Sequence, residues 1–339
     1  MLKMGEFDLI ARYFTKAPKR AVLGVGDDCA LVAPSPGMQL AISSDMLVEG
    51  RHFFADVDPQ ALGHKALAVN LSDLAACGAT PLAFTLALAL PKADDTWLAA
   101  FSKGLWALAD AQQCELIGGD TAQGPLNICV TVFGEVPVAN GKSQALLRSG
   151  AQAGDDIYVS GTLGDARLGL EAMRGNIELP AEVFAKARAR LEQPTPRVAL
   201  GQALRGIASA AIDISDGLAG DLGHILKASS VGATIDTSIA INLLALHARI
   251  DWSATTFKGQ KELKNPLFYV FSGGDDYELA FTAPRAARRA VEAASLQSQT
   301  VVTRIGQIDP VSDKGPRLRV VDAQGQLVEN TFASFDHFA

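Results

Sequence analysis

A two-domain α/β protein is the fold class this sequence predicts, on three observations. Apolar runs of strand length and segments of helical spacing alternate irregularly along the chain. Its 339 residues are about the length of two compact domains of roughly 150 residues each. With 48% hydrophobic and 20% charged residues and few aromatics, either half holds enough apolar material to bury a core.

In chain order, Met1 to Phe14 reads as a short amphipathic helix; Glu6 and Asp8 interrupt its apolar pattern, so it lacks the apolar core of a signal peptide. Gln39 to Ser43 and Leu82 to Leu90 read as buried strands. Between them Pro59 to Cys77 has helical spacing, stopped by Gly78 and Pro81. The run ending at Leu90 is about half the length that spans a bilayer and is closed by Pro91, so no membrane crossing is expected. Asp94 to Gln113 is a second helix, with Leu98, Phe101, Leu105 and Leu108 on one face, and Asn127 to Val136 is another strand.

The polar, glycine-bearing stretch 146–156 is the expected linker, with the boundary near Gly150 dividing the chain into domains 1–150 and 151–339. Beyond it Ile157 to Ser160 is a strand and Ala181 to Leu191 a helix, while Pro194-Thr-Pro196 opens a further helix at its first turn. Ala210 to Ile214 is a strand running into Ser215-Asp-Gly217, after which a helix extends through Lys227. Tyr277 to Thr282, Val301 to Ile308 and Leu318 to Val321 complete the strands, and no repeat of solenoid period is present.

A net charge of −7 without a sustained Lys/Arg block argues against nucleic acid as partner. Cys29, Cys77, Cys114 and Cys129 form no Cys-x-x-Cys pair and have no histidine at ligand spacing, which indicates free thiols in a reducing cytoplasm.

Carboxylates recur beside glycine or serine at the ends of apolar runs: Gly26-Asp-Asp28, Ser43-Ser-Asp45, Gly118-Gly-Asp120 and Gly273-Gly-Asp-Asp276. Asn70-Leu-Ser-Asp73 and Asp213-Ile-Ser-Asp-Gly217 extend the set. Carboxylates that converge repel one another and need cations between them. Magnesium takes one or two carboxylates and leaves its other positions to water and nucleotide phosphates, so the pattern points to a magnesium–nucleotide enzyme. The Ser215 junction is the best local anion site, because a helix N-terminus presents free N–H groups.

Taken singly, Gly-Asp-Asp is an ordinary turn and Ser-Asp-Gly an ordinary N-cap. Asp73 stands apart, because it falls on a largely apolar helix where it shares a face with Asn70. His52 reads equally as a packed histidine or a substrate contact; His64 and His224 read as structural.

Taken together, Val25 to Leu31, Ala41 to Asp45, His52-Phe53, Lys65 to Ala76, Leu116 to Thr121, Ala211 to Gly217, Ser272 to Leu279 and the tail Phe335-Asp-His-Phe338 resemble the bacterial thiamine-monophosphate kinase family, in order and over nearly the whole chain. The resemblance implies ATP- and magnesium-dependent phosphorylation of thiamine monophosphate to thiamine diphosphate. It implies a fold like that of aminoimidazole ribonucleotide synthetase, with an N-terminal domain that forms a dimeric β-barrel interface, a C-terminal α/β domain closing over the nucleotide, and an active site in the cleft between them. Carried over by motif, Asp28, Asp45, Asp73, Asp120 and Asp213 would hold magnesium, helped by Ser43 and Ser44, and Asp216 a further ion. Gly119, Asp120, Arg148 and Ser215 would contact ATP; His52, Asp275 and Phe332 would contact thiamine monophosphate.

Three departures bear on the thiamine contacts. The family usually has Gly-Gly-Glu-Asp where this chain has Gly273-Gly-Asp-Asp276, and many relatives carry tryptophan where this chain has Phe332. The stretch 250–266 is longer and more basic than usual. The alternatives are another ATP-using member of the superfamily, or a non-catalytic protein that binds thiamine phosphates or metal.

Overall fold

The computed structural model describes residues 5–259, 261–311, 317–329 and 332. The Phe335–Phe338 motif and residues 1–4 lie outside them. The chain divides into two compact units: residues 1–74 with 79–145, and residues 75–78 with 146–339.

The first unit contains helix α1 (Glu6–Tyr13), strand β1 (Met38–Val48), α2 (Pro59–Ala76, its last two residues falling in the second unit), β2 (Thr80–Leu90), α3 (Asp95–Ala111), β3 (Glu115–Gln123), β4 (Asn127–Ala139) and the short β5 (Lys142–Ser143). The sheet runs β1-β4-β2-β3, with β5 paired to β4. β1 and β2 flank β4 antiparallel, and β3 lies parallel to β2, whose connection to it is α3.

α2 is apolar on nearly every side, which a helix tolerates only when buried all round; Leu62, Leu67, Leu71 and Leu74 are inaccessible. α3 opens on Asp94, whose carboxylate accepts the amides of Thr96 and Trp97. It carries the expected Leu98, Phe101, Leu105 and Leu108 into the core. α1 is fixed to its start by Tyr13, whose hydroxyl donates to Asp95 at 2.6 Å.

The second unit contains β6 (Asp156–Ser160), α4 (Asp165–Met173), α5 (Ala181–Glu192), α6 (Val198–Ala203), β7 (Ala210–Ile214), α7 (Leu218–Ser229), β8 (Gly232–Asp236), the single turn α8 (Thr237–Ala240), α9 (Pro266–Ser272), β9 (Glu278–Ala283), α10 (Arg288–Gln297), β10 (Val302–Asp309) and β11 (Leu318–Val321). Among the described residues its strands lie in the order β11-β8-β10-β6-β9-β7. The pairs are antiparallel except β11 with β8. β6, β7 and β9 are buried along their whole lengths, the pattern of strands covered on both faces.

Two expectations are corrected. Pro194 and Pro196 do not open α6 at its first turn; Arg197 is its N-cap, so both prolines precede the helix. Tyr277 does not begin a strand, because it adopts a left-handed conformation with φ 51° and β9 starts at Glu278. Among the described residues no helix is long and apolar enough to cross a membrane.

Candidate functional site

In the first unit, the buried α2 brings two polar side chains to the strand that carries Ser43-Ser44-Asp45. Asn70, fully buried, accepts the backbone amide of Asp45 at 3.0 Å, and Asp73 accepts the hydroxyl of Ser43 at 2.5 Å. The helical face that Asn70 and Asp73 share therefore meets this strand. Ser44 points the other way, its hydroxyl 2.9 Å from that of Thr131. Just beyond the strand, His52 accepts the amide of Val48 on Nδ1 at 3.0 Å, and its carbonyl accepts the buried Lys65 ammonium at 3.4 Å.

Asp28, Gly119 and Asp120 meet elsewhere in the same unit. They line a cleft of about 600 Å³ with Gly26, Asp27, Gly118 and Thr121, and its apolar wall is Phe7 and Ile10 of α1, Phe14 just beyond it, and Leu86, Leu116 and Ile117. Gly119 has φ 150°, and a Cβ there would stand 1.8 Å from the carbonyl oxygen of Leu86, so only glycine lets β3 lie this close to β2. The α1 wall was not foreseen; its one signal in the sequence is the aromatic Phe7 on a short helix, and Phe7 is 83% exposed.

Asp45 and Asp120 sit at opposite edges and on opposite faces of one sheet. The register places Asp45 opposite Val130, Leu86 and Gly119, and Asp120 on the next rung with Ala87, Cys129 and Met46. Residues in register share a face, so Asp45 lies with Ser43 on the α2 side, and Asp120 lies with the exposed Met46 and Ala87. Three strand spacings of about 4.8 Å separate β1 from β3, roughly 14 Å.

In the second unit, β7 ends at Asp213-Ile214 and the chain turns through Ser215-Asp216-Gly217 into α7. The amides of Ser215 and Asp216 do not wait for an external anion, as the sequence suggested. Both donate to the carboxylate of Asp221, at 3.1 and 3.0 Å. Burial pushes Asp221 up to about 7, against these amides, which favour its charged form. Asp221 was not singled out from the sequence, because one turn into a helix it reads as an ordinary first-turn acid.

The segment Gly273–Tyr277 packs on the same junction: Asp275 donates its amide to the Ser215 carbonyl and Tyr277 to that of Ile214, both at 2.9 Å. Phe332 stacks on Phe271, centroids 4.6 Å apart and planes at 13°, on the helix that leads into this segment. Arg148 is exposed beside β7, since the preceding carbonyl of Leu147 accepts the amide of Ala211 at 2.8 Å. The second unit thus gathers Asp213, Ser215, Asp216 and Asp275 around the C-terminal end of β7, with Phe332 on the helix before the last of them, while Arg148 stands beside the start of that strand.

The donors in these groups are carboxylate and hydroxyl oxygens, the set magnesium takes. Within neither unit do three or more His, Cys, Asp or Glu among the described residues stand close enough to hold an ion. The arrangement suits an ion that uses one or two carboxylates and fills its remaining positions with water and phosphate oxygens, as magnesium does.

Comparison with known proteins bears on what this geometry serves. Residues 26–136 match the AIR synthase related protein N-terminal domain, and residues 152–319 the AIR synthase related protein C-terminal domain. The chain is 44% identical over 339 residues to the thiamine-monophosphate kinase of Salmonella typhimurium strain LT2, covering 99% of this chain and 98% of that protein. The crystal structure of thiamine-monophosphate kinase from Stenotrophomonas maltophilia K279a is 41% identical, with a TM-score of 0.77 over 94% of this chain and 95% of its own. A structure of AaThiL complexed with AMPPCP and TMP is 28% identical, with a TM-score of 0.70 over 90% of this chain and 89% of its own.

Proposed function

The chain belongs to the thiamine-monophosphate kinase family, and from that premise we propose that it transfers the γ-phosphoryl group of ATP to thiamine monophosphate, giving thiamine diphosphate and ADP. This is the final step of thiamine diphosphate biosynthesis, and the proposed compartment is the cytoplasm. The observation that carries the reading is full-length similarity joined to the acids Asp28, Asp45, Asp73, Asp120 and Asp213 carried over by motif.

Both reactants are polyanions, and phosphoryl transfer asks the protein chiefly for alignment and charge neutralisation. Asp28 and Asp120 in the cleft, Asp45 and Asp73 with Ser43 and Ser44 on β1 and α2, and Asp213 and Asp216 at the end of β7 are the residues that would hold magnesium. When bound, magnesium neutralises the phosphate oxygens and orients them. Gly119 would let the chain approach the nucleotide closely, Ser215 would contact it, and Arg148 would supply a fixed planar cation for phosphate. His52, Asp275 and Phe332 would receive thiamine monophosphate. The acceptor is a phosphate oxygen whose second pKa is about 6, so it is ionised at neutral pH and needs no general base. The transfer is therefore direct and in line.

A homodimer fits the first unit. One face of its sheet carries the exposed Leu40, Ile42 and Met46 in a row along β1, and β1 and β3 pair on one side only among the described residues. Natural proteins cover such edges and apolar faces, and we propose a second copy of the chain as the cover, the two sheets closing a barrel.

The test is a chromatographic assay of the purified protein with ATP, magnesium and thiamine monophosphate. Equimolar thiamine diphosphate and ADP are expected, with no labelled protein from γ-labelled ATP. ADP without thiamine diphosphate would move the reading to another acceptor, and a trapped phosphoprotein would overturn the direct transfer.

A further inference from the structure

Beneath the Gly273–Tyr277 segment lies a buried ionic network to which the chemistry above gives no role. Asp276 is completely buried, and its Oδ2 accepts the amide of Gly164, the N-cap of α4, at 2.8 Å. Its backbone carbonyl accepts Arg190 of α5 at 3.1 Å, and the same guanidinium reaches Glu278 of β9 at 3.2 Å. Glu278 is in turn gripped by Arg197 through Nε at 2.6 Å and through a second nitrogen at 2.5 Å, and it accepts the hydroxyl of Ser160 at 2.6 Å. The charged groups that act on Asp276 are Arg190, Asp165 at the start of α4, and Glu278.

The segment above this network is held in an unusual backbone. Asp275 and Tyr277, neither of them glycine, both have positive φ, 66° and 51°. Between the glycines, the approach to β7 is so close that a Cβ on Gly274 would stand 2.4 Å from the carbonyl oxygen of Ser215. Left-handed conformations at such residues persist only where the surroundings over-determine them, and they cluster at ligand clamps. The two amide bonds to Ser215 and Ile214 fix the segment from one side. From the other side, the Asp276 side chain and the Arg190 strap on its carbonyl fix it to α4 and α5.

We propose that Asp276 is a positioning residue: by tying the segment to the start of α4 it holds Asp275 in place at the end of β7, and so sets the affinity for thiamine monophosphate. The inference rests on the kinase reading in which Asp275 meets that substrate. A helix cap alone needs no such arrangement, since a serine or aspartate at the N-cap position would serve α4 without involving a distant loop. Burial raises the Asp276 carboxyl toward its neutral form, only partly offset by Arg190 and the Gly164 amide. An asparagine, neutral and of the same shape, should therefore keep the bond that matters.

The test compares Asp276→Ala, Asp276→Asn and Arg190→Met with the natural chain at full length. Asp276→Ala is expected to raise the KM for thiamine monophosphate about tenfold while the KM for ATP stays within about twofold, and Asp276→Asn to restore the first to within about threefold. Arg190→Met, which removes the strap from the same carbonyl, is expected to act in the same direction, and it decides the matter should Asp276→Ala fail to fold. Hydrogen exchange supplies a readout that needs no substrate: in Asp276→Ala the amides of Asp275 and Tyr277 should exchange about tenfold faster while those of β9 keep their protection. A lower melting temperature with an unchanged KM for thiamine monophosphate, both KM values rising together, or asparagine as damaging as alanine would overturn the proposal. If the natural chain makes no thiamine diphosphate, it is the kinase reading that has failed. Exchange then still decides the positioning role, which stands if only the two loop amides loosen and falls if none or all of them do.

Discussion

Replacing Glu278 by glutamine puts the buried network of the second unit to a quantitative test. The native carboxylate is inaccessible to solvent and receives four hydrogen bonds, two from Arg197 at 2.6 and 2.5 Å, one from Ser160 at 2.6 Å and one from Arg190 at 3.2 Å. Glutamine fills the same space but keeps one acceptor oxygen. Its amide nitrogen would face a guanidinium nitrogen, donor against donor, and Arg197, whose side chain is 20% exposed, would lose the charge that justifies its burial. Breaking one partner of a buried pair costs about 3–5 kcal/mol. For a unit of this size each kcal/mol lowers the melting temperature by about 2–4 °C, so a loss of roughly 6–20 °C is expected by calorimetry. The companion variant Arg197→Met with Glu278→Leu removes both charges and should regain most of that loss, because an apolar pair of similar volume carries no desolvation cost. A single-variant loss below about 1 kcal/mol, or a double variant no better than the single one, would refute the view that the pair is dry and mutually dependent.

Three further outcomes follow. Asp45→Asn and Asp120→Asn should each lower kcat by orders of magnitude with the melting temperature nearly unchanged, because the lost charge is needed chiefly when metal and phosphate are present; near-native turnover in both would remove these residues from the metal assignment. Gly119→Ala should cost stability and ATP affinity together, since its Cβ would stand 1.8 Å from a backbone oxygen, and unchanged thermal and kinetic behaviour would show that β3 can retreat freely. Burial pushes Asp165 up to about 6 from 3.8, so the folded state holds this proton more tightly than the unfolded one; the associated stability is full below about pH 4 and is lost as pH rises through about 6. Asp165→Asn should then melt with the natural chain near pH 3.5 and gain about 3 kcal/mol over it at pH 8, whereas a constant difference across that range would dismiss Asp165 as the titrating group.

Much of the site was legible because its signals are local. Asn70 and Asp73 are three residues apart on an apolar helix, and the structure turns both toward β1. The strands read at 82–90 and 210–214 appear as β2, which begins two residues earlier, and as β7. What the sequence did not disclose depends on partners far along the chain. Glu278 looks like a polar residue opening a strand until Arg197 and Ser160 arrive from 81 and 118 positions away. The Ser215 amides looked available because nothing local shows that Asp221 folds back on them. Tyr277 carries the β propensity of a strand residue, but the backbone is left-handed at both Asp275 and Tyr277, where their amides bond to the Ser215 and Ile214 carbonyls, and propensity does not see that.

The opposed placement of Asp45 and Asp120 gives the oligomeric state a functional consequence. Ile42 is 60% exposed on the face of the sheet that also carries Asp120, whereas Ser43, Asp45 and Asp73 meet on the α2 side. Ile42→Glu therefore inserts a charge on the proposed interface while leaving every hydrogen bond on the α2 side in place. If a second copy covers this face, the variant should sediment as a monomer where the natural chain sediments as a dimer, since a glutamate forced into an apolar contact must be desolvated without a partner. The activity of that monomer is the informative quantity. Full activity would mean that one chain assembles all it needs, with the two acid groups holding separate ions on the two sides of the sheet. Lost activity, with the melting temperature of the first unit preserved, would mean that acids roughly 14 Å apart within one sheet work together only when a second sheet closes against the first. A natural chain that sediments as a monomer and remains active would dispose of the interface altogether, and would leave the exposed row of Leu40, Ile42 and Met46 without the partner proposed for it.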